Sequence, residues 1–422
     1  MNPTVLIATT ARWLPTARLT IALANTGFCV YAVCPSNHSI GKTNLVRRIF
    51  RYRGLSGLGS FSDAISASKP DLIIPGDDLA AQHLRSIYLE LLRKSSAAAP
   101  FCKLIERSLG APESFPILFE RAKFIEFASK AGIRVPKTRV IQDVRDLQQW
   151  TSQNGLPVVL KADGSSGGVG VRVAGSFKEA ESALRSLQKP PLFARAAKRT
   201  LIDRDPTLFL PSLLRQRSVV NAQTHVAGRE ATSTIACWKG EVLATLHFEV
   251  VHKTSSSGHA TVLRLIENPE MSSAVKKLAQ GLNLSGVHGF DFMLENHTGD
   301  AYLIEINPRS TQVGHLTLGL GRDIPAALYA AVSGNEVRPA TKVTEKDTIA
   351  LFPQEWIRDP GSIYLQSAYH DVPWDQPELI RAFIGERRKQ SAWYAQENRL
   401  QGFAAGRLNG NEKSVTNTHG AI

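Results

Sequence analysis

Residues 286–309 read GVHGFDFMLENHTGDAYLIEINPR, and their pattern decides the fold. The apolar runs GFDFML (289–294) and AYLIEI (301–306) flank Asn296, His297, Thr298, Gly299 and Asp300, which predicts a β-hairpin with a five-residue loop. Pairing symmetric about Thr298 sets Asp291 directly opposite Glu305. Facing residues of an antiparallel pair lie ~4.5–5.5 Å apart and like charges there repel, so something positive is expected between them. Strand alternation puts Glu305, Asn307 and Arg309 on one face and sends Ile304 and Ile306 to the other, a buried one. Oxygen ligands from a few side chains suit Mg²⁺ (or Mn²⁺) held jointly with nucleotide phosphates. A solvated hairpin with ordinary surface acids is the plainer alternative. The polar face E-x-N-x-R, on a strand whose other face is apolar, argues against it.

A chain of 422 residues should form two or three domains with sizeable cores. Its net charge of +13 favours anionic partners such as nucleotides, acidic metabolites or nucleic acid. No aromatic-basic stripe or nucleic-acid motif accompanies that charge, so nucleic acid is the weaker expectation. Cys29, Cys34, Cys102 and Cys237 are scattered without metal-ligand spacing, which suggests reduced thiols and a cytoplasmic protein. The N-terminal VLIATT reads as a strand with no signal-peptide architecture, and no apolar run reaches the ~18 residues that would span a bilayer.

Along the chain, the first ~110 residues alternate strand and helix, the pattern of a parallel sheet. Strands are expected at 5–9, 28–34 and 71–75, with helices at 15–25 and 79–94. The loops after the first and third strands, 10–14 and 76–78, stand where open α/β sheets bind ligands. An amphipathic helix is predicted over 115–131, a strand containing Pro136 after it, and strands at 156–161 and 170–174 around a glycine loop. Residues 219–226, 231–237 and 242–247 look like one antiparallel set, and 271–282 like a helix. Beyond Gly334 lies an extension containing Pro and Trp, with a helix expected over 377–396 and a polar, disordered end from Asn409. The expected domains are 1–110, 111–335 (with a flap at 138–212) and 336–422.

The second strong signal is PVVLKADGSSGGVGVRV, 157–173. A strand delivers Lys161, and Gly164, Ser165, Ser166, Gly167 and Gly168 then make a loop before a second strand returns. Glycines let backbone N–H groups approach phosphate oxygens, and a nearby lysine adds a point charge. A lysine on the otherwise apolar strand VVLKA wants an anion, which argues against a plain surface hairpin. Lys123, taken alone, reads as a solvated helix lysine. Ile40-Gly41-Lys42-Thr43 lacks the first glycine of a phosphate loop, where Ser36 stands instead. His247, His252, His259, His288 and His315 fit no usual ligand spacing; His315 is the one best placed to line a pocket.

Taken together, Lys123 on its helix, Lys161 before the glycine loop, NAQTHVAGREA, D-F-M and E-I-N-P-R resemble the ATP-grasp ligases in order and spacing. The resemblance is to the carboxylate–amine ligase type, carbamoyl-phosphate-synthase-like and biotin-carboxylase-like, and covers about 115–331. It implies an N-terminal parallel α/β domain followed by an ATP-grasp fold, an α+β clamp closing on ATP. By this similarity Lys123 and Lys161 would contact the nucleotide phosphates and the glycine loop would close over them. Gln223, Thr224, His225 and Val226 would form the hinge against the adenine, with Thr224 where family members commonly carry an acid that meets the ribose. Asp291, Glu305 and Asn307 would hold Mg²⁺, and Arg309 would face the reacting carboxyl or phosphoryl group. The implied activity activates a small-molecule carboxylate as an acyl-phosphate for attack by an amine or another nucleophile, with release of ADP and phosphate. The alternatives from other classes are a catalytically inactive ATP-binding regulatory or interaction protein and a basic nucleic-acid-binding protein. A homo-oligomer is left open.

Overall fold

The computed structural model describes residues 2–94, 99–163, 170–189, 218–255, 258–336 and 340–385. They fall into two compact units, residues 1–372 and 373–422. Of the second, 377–385 is helical; the rest of the helix expected to 396, and the tail from Asn409, lie outside the described residues.

The first sheet has the order β3-β2-β1-β4 and is parallel throughout, from β1 (Thr4–Ala8), β2 (Cys29–Cys34), β3 (Val46–Arg51) and β4 (Leu72–Pro75). The β1 and β4 sequences TVLIA and LIIP are almost wholly apolar because helices cover both faces of a parallel sheet. Sequence pattern misses β3. It is an edge strand, VRRIFR, whose arginines are exposed, so it carries little apolar signal.

A small antiparallel sheet has the order β5-β8-β6-β7, from β5 (Thr138–Ile141), β6 (Val158–Ala162), β7 (Val171–Ala174) and β8 (Val220–Thr224). Helices Val144–Asn154 and Phe177–Leu187 pack on it, started by Asp143 and Ser176, whose side chains accept from the N–H groups of Asp146 and Glu179. The sequence places β8 with the strands that follow it. Instead β8 lies between β5 and β6, and its burial along nearly its whole length is that of a central strand.

The large sheet runs β13-β12-β9-β10-β11-β14-β15, from β9 (Gly228–Trp238), β10 (Glu241–Lys253), β11 (Ala260–Leu265), β12 (Gly286–Glu295), β13 (Ala301–Asn307), β14 (Thr348–Leu351) and β15 (Tyr369–Asp371). The last two strands come from the stretch read as an extension. Asp371 ties β15 to the N-terminal helix Pro15–Thr26: its Oδ1 accepts from Arg18 at 2.6 Å, and its Oδ2 meets His315 Nε2 at 2.8 Å. His315 is therefore occupied in the interior.

The decisive hairpin forms, with one departure. Next to the turn, Leu294 faces Ala301, Met293 faces Tyr302 and Phe292 faces Leu303; past that point Asp291 faces Glu305 and Phe290 faces Ile306. Ile304 is the extra residue of a β-bulge. Leu303 and Glu305 stand two apart and would share a face in a regular strand. The bulge separates them: Leu303 joins Phe290 and Phe292 in the core, with Ile306 packed beside them, while Glu305 stays with Asp291 on the polar face. Ile304 thus does not share a continuous apolar row with Ile306, as plain alternation predicts.

The helix predicted over 115–131 is two helices, Phe115–Phe119 and Arg121–Lys130, separated at Glu120 by an extended backbone. Buried Leu118 and Ile125 are seven residues apart, so the apolar rows stay in phase across the break and hide it from periodicity.

Candidate active site

Asp291 on β12 and Glu305 on β13 face each other at the end of the hairpin far from its turn. Asn307 Nδ2 donates to Asp291 Oδ2 at 3.0 Å, and Arg121 Nη2 donates to Glu305 Oε2 at 2.8 Å. Arg121 also reaches the small sheet, where its Nη1 lies 3.3 Å from the Ala162 carbonyl and 3.5 Å from Asp163 Oδ1. Asp163 is held in turn by Asn221 Nδ2 at 2.8 Å. Lys161, one residue before Ala162 on β6, is only 5 % exposed. The two carboxylates of the hairpin thus stand beside two cations, Lys161 on β6 and Arg121, which reaches both sheets.

These charges are mutually adjusted. Burial pulls the Lys161 ammonium down to about 8; Glu305 opposes that shift and the Arg121 charge adds to it. Burial, and then the charge of Glu305, hold the Asp291 carboxyl above the usual carboxylate range. Burial alone would raise Glu305 as well, but Arg121 and Lys161 outweigh it and keep that carboxylate ionised. Two facing carboxylates do not both ionise freely, so the pair favours a positive charge beside it. The two carboxylates offer the oxygen donors that a hard divalent ion takes, whereas the Asn307 amide turns its nitrogen to Asp291 and its oxygen to Arg309. Among the described residues no group of three or more His, Cys, Asp or Glu side chains is placed to hold a metal ion.

The helix cation that reaches the carboxylates is Arg121, not Lys123. Lys123 is 54 % exposed and pairs with Glu120 at 2.8 Å on the helix surface. Sequence reasoning misses Arg121 because a continuous helix gives no reason to single it out; the break at Glu120 makes it the first helical residue and turns it toward β6 and β13. Asp163 and Asn221 were missed likewise, although Asp163 directly follows the strand that carries Lys161.

Arg309 is placed just beyond the carboxylates. Its Nη2 donates to Asn307 Oδ1 at 3.1 Å, its Nη1 to the Ser310 carbonyl at 3.1 Å and its Nε to Asp78 Oδ1 at 2.9 Å. Its guanidinium stacks on Trp13, 5.3 Å from the ring centre. Gln223 lies inside the small sheet, its backbone between Thr138 and Val159 and its amide donating to Thr138 Oγ1 at 3.1 Å. Thr224 is half-buried, and exposed His225 and half-buried Val226 belong to the short link that carries the chain from β8 to β9. Gly164, Ser165, Ser166, Gly167 and Gly168 lie outside the described residues; their flanking strands β6 and β7 pair antiparallel, with Ala162 N donating to the Gly170 carbonyl at 2.9 Å. All four cysteines are free thiols, and among the described residues no helix is long and apolar enough to cross a membrane.

Residues 120–318 match the family described as carbamoyl-phosphate synthase L chain, ATP binding domain. A phosphoribosylamine–glycine ligase of Xylella fastidiosa is 26 % identical over 216 residues, 50 % of this chain and 48 % of that one. A carbamoyl phosphate synthase large chain of Rubrobacter xylanophilus is 21 % identical over 250 residues, 59 % of this chain and 22 % of that one. The chain thus spans about half the length of the first relative and less of the second. Among solved structures, the biotin carboxylase domain of Hydrogenobacter thermophilus 2-oxoglutarate carboxylase, in complex with MgADP, ADP and bicarbonate, superposes with a TM-score of 0.56 at 16 % identity. That match covers 81 % of this chain and 72 % of the other. The N5-carboxyaminoimidazole synthetase of Staphylococcus aureus, complexed with ADP, gives 0.53 at 14 % identity, over 80 % of each chain. The small antiparallel sheet and the hairpin lie within the matched segment, and residues 120–318 are similar to the carbamoyl-phosphate synthase L chain ATP-binding domain, on a fold shared with the biotin carboxylase and carboxyaminoimidazole synthetase structures.

Proposed function

We propose that the protein is an ATP-dependent ligase that activates a carboxylate as an acyl-phosphate and passes the acyl group to an amine or, less favoured, a thiol. The observation that carries this reading is the Asp291–Glu305 dyad held beside two cations, Lys161 and Arg121. Asp291, Glu305 and Asn307 would hold Mg²⁺, or Mn²⁺ as the other hard ion with the same donor preference. When bound, such an ion neutralises charge on the nucleotide phosphates.

A substrate carboxylate oxygen attacks the γ-phosphorus of ATP, the bond to the β,γ-bridging oxygen breaks, and ADP leaves. The amine nitrogen then attacks the acyl carbon, inorganic phosphate departs and the nitrogen loses a proton. Lys161, protonated below about 8, places its charge on the transferring group without a long reorganisation, since burial fixes it. Arg121 joins the two sheets and supplies a second cation there. Arg309, a two-pronged donor already oriented by Asn307, is suited to the substrate carboxylate.

Purified protein with ATP and Mg²⁺, screened against amino acids and small carboxylates, should form ADP faster with at least one acid present. Absence of stimulation by any acid, with ATP nevertheless bound, would favour a nucleotide-binding regulatory protein instead. Arg121→Met should raise the KM for ATP by about 10-fold, the worth of one charge-assisted contact. Lys123→Met should leave that KM unchanged, because Lys123 points to Glu120 and solvent.

A further inference from the structure

The two edges of the parallel sheet are finished differently. On the outer side of β4 the Ile73 N–H donates to Ser108 Oγ and the Pro75 carbonyl accepts from the Ser310 N–H, both at 2.9 Å. β3 pairs only with β2, and among the described residues no other hydrogen bond reaches its backbone. Alternate N–H and C=O groups of Val46–Arg51 therefore face outward with no partner strand. The same edge gathers charge. Asp63 is the first acidic residue of the chain, whereas Lys42, Arg47, Arg48, Arg51 and Arg53 precede it on or beside β3. All five are exposed, and among the described residues none of them forms an ion pair, in contrast to Arg121, Arg139, Arg229 and Arg309. Strand alternation sets Arg48 with Phe50 on one face and Ile49 with Arg51 on the other. The Arg48 guanidinium lies 4.8 Å from the centre of the Phe50 ring, and Phe50 stacks on Tyr31 with 6.4 Å between centres.

We propose that β3 is the docking edge for an acidic, extended segment of a partner protein, which adds to this sheet as a further strand. The open ladder supplies the main-chain hydrogen bonds, while Arg48 on one face and Arg51 on the other meet carboxylates on both faces of the added strand. Charge decides between the occupants. Arginines on an edge ordinarily keep a second strand away, and a second copy of this chain would bring the same cations to the same edge. Single-stranded nucleic acid would answer the charge, yet it stacks its bases on free aromatic faces, and Phe50 already has Arg48 over it and Tyr31 beside it. An acidic polypeptide answers the charge and the open ladder together. Ile49, 41 % exposed, adds an apolar contact. None of these residues belongs to the dyad or to its cations, so docking stands or falls apart from the ligase reading.

Fluorescence anisotropy on the full chain tests it with a labelled peptide of about twelve residues alternating Glu and Thr, long enough to span β3 with a margin. That peptide should bind at low salt, and its Lys-Thr counterpart should not. A Glu-Pro peptide of equal charge, which cannot donate to a ladder, should bind about 10-fold or more weakly. The double variant Arg48→Glu, Arg51→Glu should weaken the Glu-Thr peptide by about 10-fold or more. Its melting temperature and ADP formation should stay close to the wild type, since both side chains are exposed. The milder pair Arg48→Gln, Arg51→Gln, which removes the charges without reversing them, should fall between. Equal binding of the Glu-Thr and Glu-Pro peptides would reduce the edge to a general attraction for anions and overturn the proposal. So would no peptide binding, undiminished binding by either folded variant, or tighter binding of an oligothymidine than of the Glu-Thr peptide. Self-association of the wild type that both variants abolish would give the edge to a second copy instead, and would overturn it too.

Discussion

Glu305→Ala is expected to lower Mg²⁺-dependent ADP formation by about 10³-fold in a protein that still folds, because it removes both a charge and an oxygen donor from the dyad. The fold should tolerate the change. Glu305 is part-exposed at the end of its strand, and its loss leaves Arg121 bonded to the Ala162 carbonyl and close to Asp163. Lys161 keeps Asp291 as a nearby counter-charge. Glu305→Gln separates the two losses: it retains an acceptor for Arg121 and removes the negative charge. If charge is what the site requires, Gln should be nearly as inactive as Ala, while both melt close to the wild type. ADP release undiminished in either folded variant would remove the dyad from the chemistry. A second readout is thermal protection: Mg²⁺ with ADP should raise the melting temperature of the wild type and have little effect on Glu305→Ala.

The hairpin was legible because several independent signals converge on one stretch. Alternation marked the strands, Asn296 to Asp300 marked the turn, and the facing of Asp291 and Glu305 followed from symmetry about Thr298. That facing holds for a reason alternation does not contain. Near the turn the pairs are one residue out of step with that symmetry, and the bulge at Ile304 restores it. A bulge is set by how the strand must bend against its neighbours, and no residue in AYLIEI announces it. The parallel sheet was legible for its buried strands and not for β3, since an edge strand faces solvent and need not be apolar. Arg121 was illegible for a different reason. Its importance comes from a helix break that periodicity bridges without a seam, and from a strand more than thirty residues downstream that it must reach. The contacts of Asp78 and Trp13 with Arg309 are equally non-local, joining the first sheet to the end of the decisive hairpin. Local pattern finds the elements, and long-range charge pairing, which has no local signature, completes the site.

Lys161→Met should separate stability from activity, since the same burial that makes the lysine useful also makes it costly. The ammonium is pulled from an ordinary 10.5 down to about 8, a shift worth about 3 kcal/mol. The folded state therefore binds this proton more weakly than the unfolded chain does. Below about 8 both states are protonated and the fold carries the full cost; from about 8 to 10.5 the fold sheds the proton while the unfolded chain keeps it, and the cost recedes as pH rises. Methionine fills the same space without a charge. The variant should accordingly be more stable at pH 7 by up to about 3 kcal/mol, and the gain should shrink toward pH 10. Its ADP formation should fall by about 10²-fold or more, because the charge aimed at the transferring phosphoryl group is gone. The wild type should lose activity as pH rises through about 8, where Lys161 gives up its proton, and the residual rate of Lys161→Met should lack that limb. A variant that loses stability while keeping its ADP formation would show that Lys161 serves the packing of β6 rather than a phosphate. One that gains stability and loses the alkaline limb would establish that the strand VVLKA gives up stability to hold a cation where the reaction needs it.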